Sequence, residues 1–227
     1  MASGADDAKL TPASAPCLLH ELDANGAPGV DPQQARDVAR WRKVERERLI
    51  AMRQALAADY RAAQALAMAR ELDALLPGGA PIVSLYWPIR GEPDLRPWMH
   101  SLTERGVRVA LPVVIAHGQP LEFREWRPGA RLARGVWNIP YPADGAVVTP
   151  DVAVAPLVGF DHACYRLGYG GGFFDRTLAS LEPRALAIGV GYPQSELATI
   201  FPQPHDVPMD WIVTVAAAPL RRDREAG

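Results

Sequence analysis

Between residues 82 and 215 short apolar runs alternate with helix-like segments, and this rhythm constrains the fold more than any other feature of the chain. Ile82-Val-Ser-Leu-Tyr86 reads as a strand, Leu95 to Arg105 as a helix, and Val107 to Ile115 as a strand again. That order implies an α/β architecture in which helices cover a parallel or mixed sheet. Leu121 to Trp126 looks like a strand on a hairpin or sheet edge, and Trp137-Asn-Ile-Pro-Tyr-Pro142 like a rigid loop set by its prolines. Val152-Ala-Val-Ala-Pro-Leu-Val158 reads as a buried strand, Phe173 to Leu181 as a helix and Ala185 to Val190 as a strand. Trp211 to Val215 is the predicted last strand, closing the sheet.

Upstream, Gln33 to Leu76 is rich in Ala, Arg, Glu, Leu and Met without an internal Gly or Pro. It predicts one long helix, or two with a break near Ala57-Ala-Asp59. Pro77-Gly-Gly79 ends it. Residues 1 to about 35 lack a sustained apolar period and cannot bury enough surface to offset their ordering entropy, so a flexible extension is expected there. One domain over 36–216 and a short tail over 217–227 complete the expected organisation.

The chain has 227 residues and is 48% apolar, enough for one sizeable core. A net charge of -2 leaves no global positive field for a nucleic acid or an anionic membrane, so any phosphate binding must be local. Cys17 and Cys164 stand outside any Cys-x-x-Cys or Cys/His cluster, which argues against a disulfide framework or a structural zinc and for a reducing cytoplasm. Met1-Ala-Ser-Gly-Ala-Asp-Asp is unlike a secretory signal, and apolar runs such as Val152 to Phe160 are too short to span a bilayer.

Four glycines lie within five positions at Gly168-Tyr-Gly-Gly-Gly172, between a predicted strand and a predicted helix. Glycine lets backbone N–H groups turn toward a ligand, and a helix N-terminus adds partial positive charge, so phosphate is the natural guest. Arg166 offers a planar fork of donors beside the loop, and Asp175 a carboxylate for a magnesium ion. The plainer reading is a connecting turn followed by an N-terminal helix carboxylate. Spacing alone does not choose between the two, and neither the P-loop nor the dinucleotide pattern is present.

Pro156-Leu-Val-Gly-Phe-Asp161 followed by Arg166-Leu-Gly-Tyr-Gly-Gly-Gly-Phe-Phe-Asp-Arg-Thr-Leu178 resembles the signature block of the 5-formyltetrahydrofolate cyclo-ligases. Gly91-Glu-Pro-Asp-Leu-Arg-Pro97, Leu111-Pro-Val-Val114, Trp137-Asn-Ile-Pro140 and His205-Asp-Val-Pro-Met-Asp210 resemble further segments of that family, in the expected order across about residues 38 to 215. The resemblance implies a single-domain, three-layer Rossmann-like fold with a mostly parallel sheet. It also implies a ligase: the formyl oxygen of 5-formyltetrahydrofolate attacks the γ-phosphate of ATP, and N10 then closes the ring to 5,10-methenyltetrahydrofolate as phosphate leaves. ATP and the reduced folate are the expected partners, with magnesium, and without nucleic acid, membrane or a second subunit.

Carried over residue by residue, the nucleotide is assigned to Arg42, Lys43, Arg46, Arg166, Leu167, Gly168, Tyr169, Gly170, Gly171, Gly172, Phe173 and Phe174. Arg166, Gly171 and Phe174 stand nearest the transfer. The folate is assigned to Trp87, Glu92, Trp137, Tyr169 and Phe173, with Glu92 facing the donor edge of the pterin, and the metal to Asp175 and Asp206. His162 and His205 are expected to be loop residues rather than general bases. Two departures stand out: Glu45 takes the place of an apolar residue in Arg42-Lys-Val-Glu-Arg46, and Phe174 stands where the family commonly has tyrosine. They define the alternative, a folate- or nucleotide-binding relative without turnover. A sugar-phosphate isomerase-like enzyme, suggested by architecture alone, would need a base beside the loop, and the loop has no lysine.

Overall fold

The computed structural model describes residues 31–79 and 81–223. The expected extension up to residue 30, Cys17 within it, and residues 224–227 of the expected tail lie outside the described residues. The chain divides into two units, Met1–Arg42 and Lys43–Gly227. Helix α1 (Pro32–Ala55) begins in the first, where Pro32 needs no N–H partner and the Asp31 carboxylate accepts the Gln33 N–H at 2.8 Å. Arg42 belongs to that unit; all the geometry below is internal to the second.

Two helices form in the predicted stretch: α1 stops at Ala55 and α2 (Ala58–Leu75) follows. Next come β1 (Ile82–Ser84), α3 (Arg96–Glu104), β2 (Arg108–Val113) and β3 (Glu122–Trp126). A small hairpin of β4 (Leu132–Arg134) and β5 (Pro140–Pro142) precedes β6 (Val152–Pro156). Another, β7 (Gly159–Phe160) with β8 (Arg166–Leu167), precedes α4 (Phe173–Ser180). The chain then forms β9 (Leu186–Val190), β10 (Trp211–Val213) and β11 (Leu220–Arg221).

Seven strands form one sheet in the order β11-β10-β9-β6-β1-β2-β3. The five inner strands are parallel, and β3 and β11 join antiparallel at the edges. β10 therefore does not close the sheet, as the sequence suggested. The chain turns back after it, so that Trp211 pairs with Arg221, whose guanidinium lies 5.4 Å from the Trp211 ring centroid. A two-residue strand of one leucine and one arginine carries no alternation to announce it.

Alternating side chains divide the core into two layers. Val152, Val154, Ile188, Val190 and Val213 face Met68 and Leu72 of α2 and Met99 and Leu102 of α3. Ala153, Ala155, Ala187 and Ile212 face the other way, toward Leu178 of α4. The result is the expected three-layer α/β fold. A smaller cluster of Leu49, Val158, Leu167 and Ile200 seats α1 on the β7–β8 hairpin.

The chain runs outward one way through β1, β2 and β3 and the other way through β6, β9 and β10, so the strand order reverses between β1 and β6. Loops leaving the carboxyl ends of strands at such a switch point flank the crevice where open α/β sheets bind ligands. Here those loops carry Glu92, after β1, and the Gly-rich segment, after β6 and its hairpin.

Candidate active site

The Gly-rich loop is held in place largely by arginines. Gly170 and Gly172 have φ of +92° and +62°, a region that other residues rarely enter. Arg46 donates from Nε to the Gly168 carbonyl at 2.6 Å, and its guanidinium carbon would lie 3.3 Å from a Cβ placed on Gly170. On the helix side, Arg176 donates to the Gly171 carbonyl and covers the Phe173 ring, 5.5 Å from its centroid. The Phe173 ring meets Trp137 edge-on at 6.0 Å. Trp137 and Asn138 are themselves left-handed, with φ of 56° and 61°, and Trp137 is exposed. The loop thus has one aromatic flank made of two residues assigned to the folate.

Arg166 does not project from the loop. It is buried, with Nη2 3.2 Å and Nη1 3.4 Å from Asp175 Oδ2, and it lies 5.5 Å from the Phe174 ring centroid. Burial works against its charge; Asp175 and Asp206 counter it. The other Asp175 oxygen accepts the Val207 N–H at 3.2 Å, and Asp206 accepts the Gln203 N–H at 2.7 Å. The two carboxylates assigned to a metal are thus gathered around one buried cation. Among the described residues, no group of three or more His, Cys, Asp or Glu could hold a metal.

Glu92 is buried in the loop between β1 and α3. Its Oε2 accepts the Ile89 N–H at 2.8 Å, and its Oε1 accepts the Tyr169 hydroxyl at 2.8 Å. Burial raises its pKa, opposed by the Ile89 N–H, Arg53, Tyr169 and Arg90. Glu92 also borders a cavity of about 690 Å³, lined in addition by Arg61 of α2 and by Arg90. Arg90 lies 5.7 Å from the Tyr169 ring centroid on the loop side.

Other assigned residues stand apart from this cluster. Trp87 packs against the core facing α2 and α3, with the Arg96 guanidinium 5.4 Å from its ring centroid. Lys43 is exposed, and Glu45 pairs with Arg48 at 2.7 Å. The Phe174 ring packs against the apolar cluster around Leu178. His162 pairs with Glu196 at 2.7 Å, and His205 lies 3.8 Å from Asp206. Arg53 and Arg176 were missed as parts of the site. Arg46, Leu49 and Arg53 recur at three and four residues on α1, the spacing of one helix stripe, and that was the available signal for Arg53.

The sequence profile of the 5-formyltetrahydrofolate cyclo-ligase family matches residues 38–215. The chain belongs to this family. It is 34% identical over 140 residues to the 5-formyltetrahydrofolate cyclo-ligase of Mycolicibacterium smegmatis, across 58% of this chain and 72% of that protein. With the same enzyme of Escherichia coli K12 it shares 32% over 140 residues, across 58% and 76%. Its fold resembles the NMR structure of Aquifex aeolicus 5,10-methenyltetrahydrofolate synthetase, with a TM-score of 0.70 and 27% identity over 82% of this chain and 96% of that one. The chain is accordingly a ligase with 5-formyltetrahydrofolate cyclo-ligase activity, and ATP and a folate are the family's substrates. No described helix is long and apolar enough to cross a membrane.

Within this family fold, Gly171 offers a sharp test of the loop. A Cβ there would lie 2.7 Å from Phe173 Cε2, so Gly171→Ala must push the ring off Trp137 or shift the backbone. Overpacking of this kind costs about 1–3 kcal/mol, so the Tm of Gly171→Ala is expected to fall by about 3–10 °C in a thermal melt.

Proposed function

We propose that the ATP-dependent closure of 5-formyltetrahydrofolate to 5,10-methenyltetrahydrofolate takes place between the Gly-rich loop and Glu92. The observation that carries this reading is the hydrogen bond from Tyr169 to Glu92, which ties the phosphate cradle to the carboxylate suited to a pterin's donor edge. The Gly168 to Gly172 amides and Arg46 receive the nucleotide phosphates, Trp137 and Phe173 supply the apolar flank, and Glu92 fixes the folate by its ring. The formyl oxygen takes the γ-phosphoryl group, ADP leaves, and N10 attacks the activated carbon as phosphate departs. Phosphoryl transfer is accelerated mainly by positioning and charge neutralisation, so a site of fixed dipoles and cations without a general base suits the step.

Asp175 and Asp206 present only oxygen, the donor that magnesium prefers, and both lie near the buried Arg166, so the pair fits that ion. A magnesium ion held there with the nucleotide would neutralise charge on the phosphate oxygens. Arg166 pairs with Asp175 and offsets part of the negative charge that Asp175 and Asp206 bring together. A monomer working in a reducing cytoplasm completes the proposal.

Incubation of the purified protein with 5-formyltetrahydrofolate and Mg-ATP, followed by the ultraviolet absorbance of the methenyl product, tests the reaction. Product is expected only with both substrates present. Turnover without ATP, or none with it, would sink the reading.

A further inference from the structure

Arg53 has no part in the reaction as described, and its surroundings are unusual for an arginine. It is 3% exposed, and its guanidinium reaches three fixed acceptors. Nε donates to the Arg90 carbonyl at 3.0 Å, Nη1 to the Leu157 carbonyl at 3.1 Å, and Nη2 to the Tyr169 hydroxyl at 2.6 Å. These acceptors belong to the loop after β1, the segment after β6 and the Gly-rich loop. One side chain from α1 thus joins three chain segments that flank the crevice.

A tyrosine hydroxyl has a single proton. Because Tyr169 accepts from Arg53, its own proton is directed to Glu92 Oε1, 2.8 Å away. The second Glu92 oxygen is held by the Ile89 N–H. We infer that Arg53 is a positioning residue for folate recognition, which acts through Tyr169 to hold the Glu92 carboxylate as a pure acceptor aimed at the pterin. The inference rests on the role proposed for Glu92 above.

Glu92 is faced by Arg53 from α1, Tyr169 from the Gly-rich loop, Tyr86 beyond β1, Tyr192 beyond β9, and Arg90 in its own loop. Asp94 shares that loop, and Arg61 of α2 lines the same cavity. Removing the Arg53 cation, or the hydroxyl that relays it, leaves burial less opposed, so Glu92 takes up a proton at higher pH. A protonated carboxyl then presents an O–H where the pterin donors need a lone pair.

The test measures the Kd of 5-formyltetrahydrofolate by calorimetry without ATP, for wild type, Arg53→Met, Tyr169→Phe and the double variant. Each single variant is expected to weaken binding roughly tenfold, the worth of one charge-assisted contact, and the double variant no more than either. The pH below which affinity falls is expected to move upward in both singles, and less in Arg53→Lys, which keeps the charge. A merely structural role would give additive losses and leave that pH in place. Either result, in particular an unmoved pH profile in Tyr169→Phe, overturns the inference. Should Arg53→Met not fold, Arg53→Lys with Tyr169→Phe closes the same cycle.

Turnover of wild type is read separately. An active wild type with unchanged variant affinities removes the inference alone. A wild type that binds the folate but does not turn over removes the proposed reaction, while the ratios of Kd still decide the role of Arg53.

Discussion

Exchanging Glu92 for glutamine is expected to lower kcat/KM for 5-formyltetrahydrofolate by roughly 10²-fold, the worth of a charged contact plus a stranded buried group. The carboxylate accepts from Ile89 on one oxygen and from Tyr169 on the other. An amide has only one acceptor, so its NH2 must face either the Ile89 N–H or the Tyr169 hydroxyl. Tyr169 cannot turn its proton elsewhere without facing the Arg53 donor. The variant therefore loses its charge toward the pterin and also leaves a buried donor unpaired. The remaining activity is expected to show none of the acid fall-off that titration of Glu92 gives the parent. Steady-state kinetics across pH check both points, and a kcat/KM within about threefold of wild type would remove Glu92 from the site.

Asp175 carries the second large effect, on stability as well as turnover. Arg166 has a side chain only 4% exposed and Asp175 one 12% exposed, so Asp175→Ala leaves a guanidinium buried without its main partner. Breaking a buried pair from one side costs about 3–5 kcal/mol, and the continued presence of Asp206 points to the lower end. For a chain of this size the Tm should fall by about 10 °C in a thermal melt. Replacing both partners, as Arg166→Met with Asp175→Leu, removes the stranded charge and is expected to recover much of that loss. Turnover should not return with it. A melt unchanged in Asp175→Ala would show that the pair contributes little to the fold.

The inner sheet was legible because its strands fall in apolar runs rich in valine, isoleucine and alanine, with helices of clear composition between several of them. Val152–Pro156 and Leu186–Val190 are buried along nearly their whole length, and such strands read as continuous apolar runs. The short hairpins were not legible. Gly159–Phe160 and Arg166–Leu167 are two residues each, held by the Asp161 carboxylate, which accepts the Ala163, Tyr165 and Ile200 N–H groups. Such an anchor closes a local turn and ties it to Ile200, 39 residues on, and leaves no periodic trace.

In the candidate site, the Gly-rich loop, Glu92 and the Asp175–Asp206 pair were proposed from their motifs. The partnerships between them were not. Arg166, read as a cation offered to phosphate, is already engaged with Asp175. Arg53 lies in a helix so rich in arginine and glutamate that composition does not single it out. The stripe that Arg53 shares with Arg46 and Leu49 points inward, but the acceptors that Arg53 meets there come from distant segments. Trp87, assigned with Trp137 to the folate, has the Arg96 guanidinium 5.4 Å from its ring centroid.

The seating of α1 on the β7–β8 hairpin has a consequence in time. The cluster there is small, with Leu49, Val158, Leu167 and Ile200 at its centre, and Arg46 and Arg53 of the same helix hold the loop beyond it. Few apolar contacts mean a low free energy of local opening compared with the sheet core. Amide exchange across Gly168 to Gly172 should therefore keep pace with residues 43–55 of α1 and run faster than in β6 and β9. A nucleotide that orders the loop would slow exchange in the helix as well, so that the occupancy of the cradle can be read from a helix built before the first strand of the sheet.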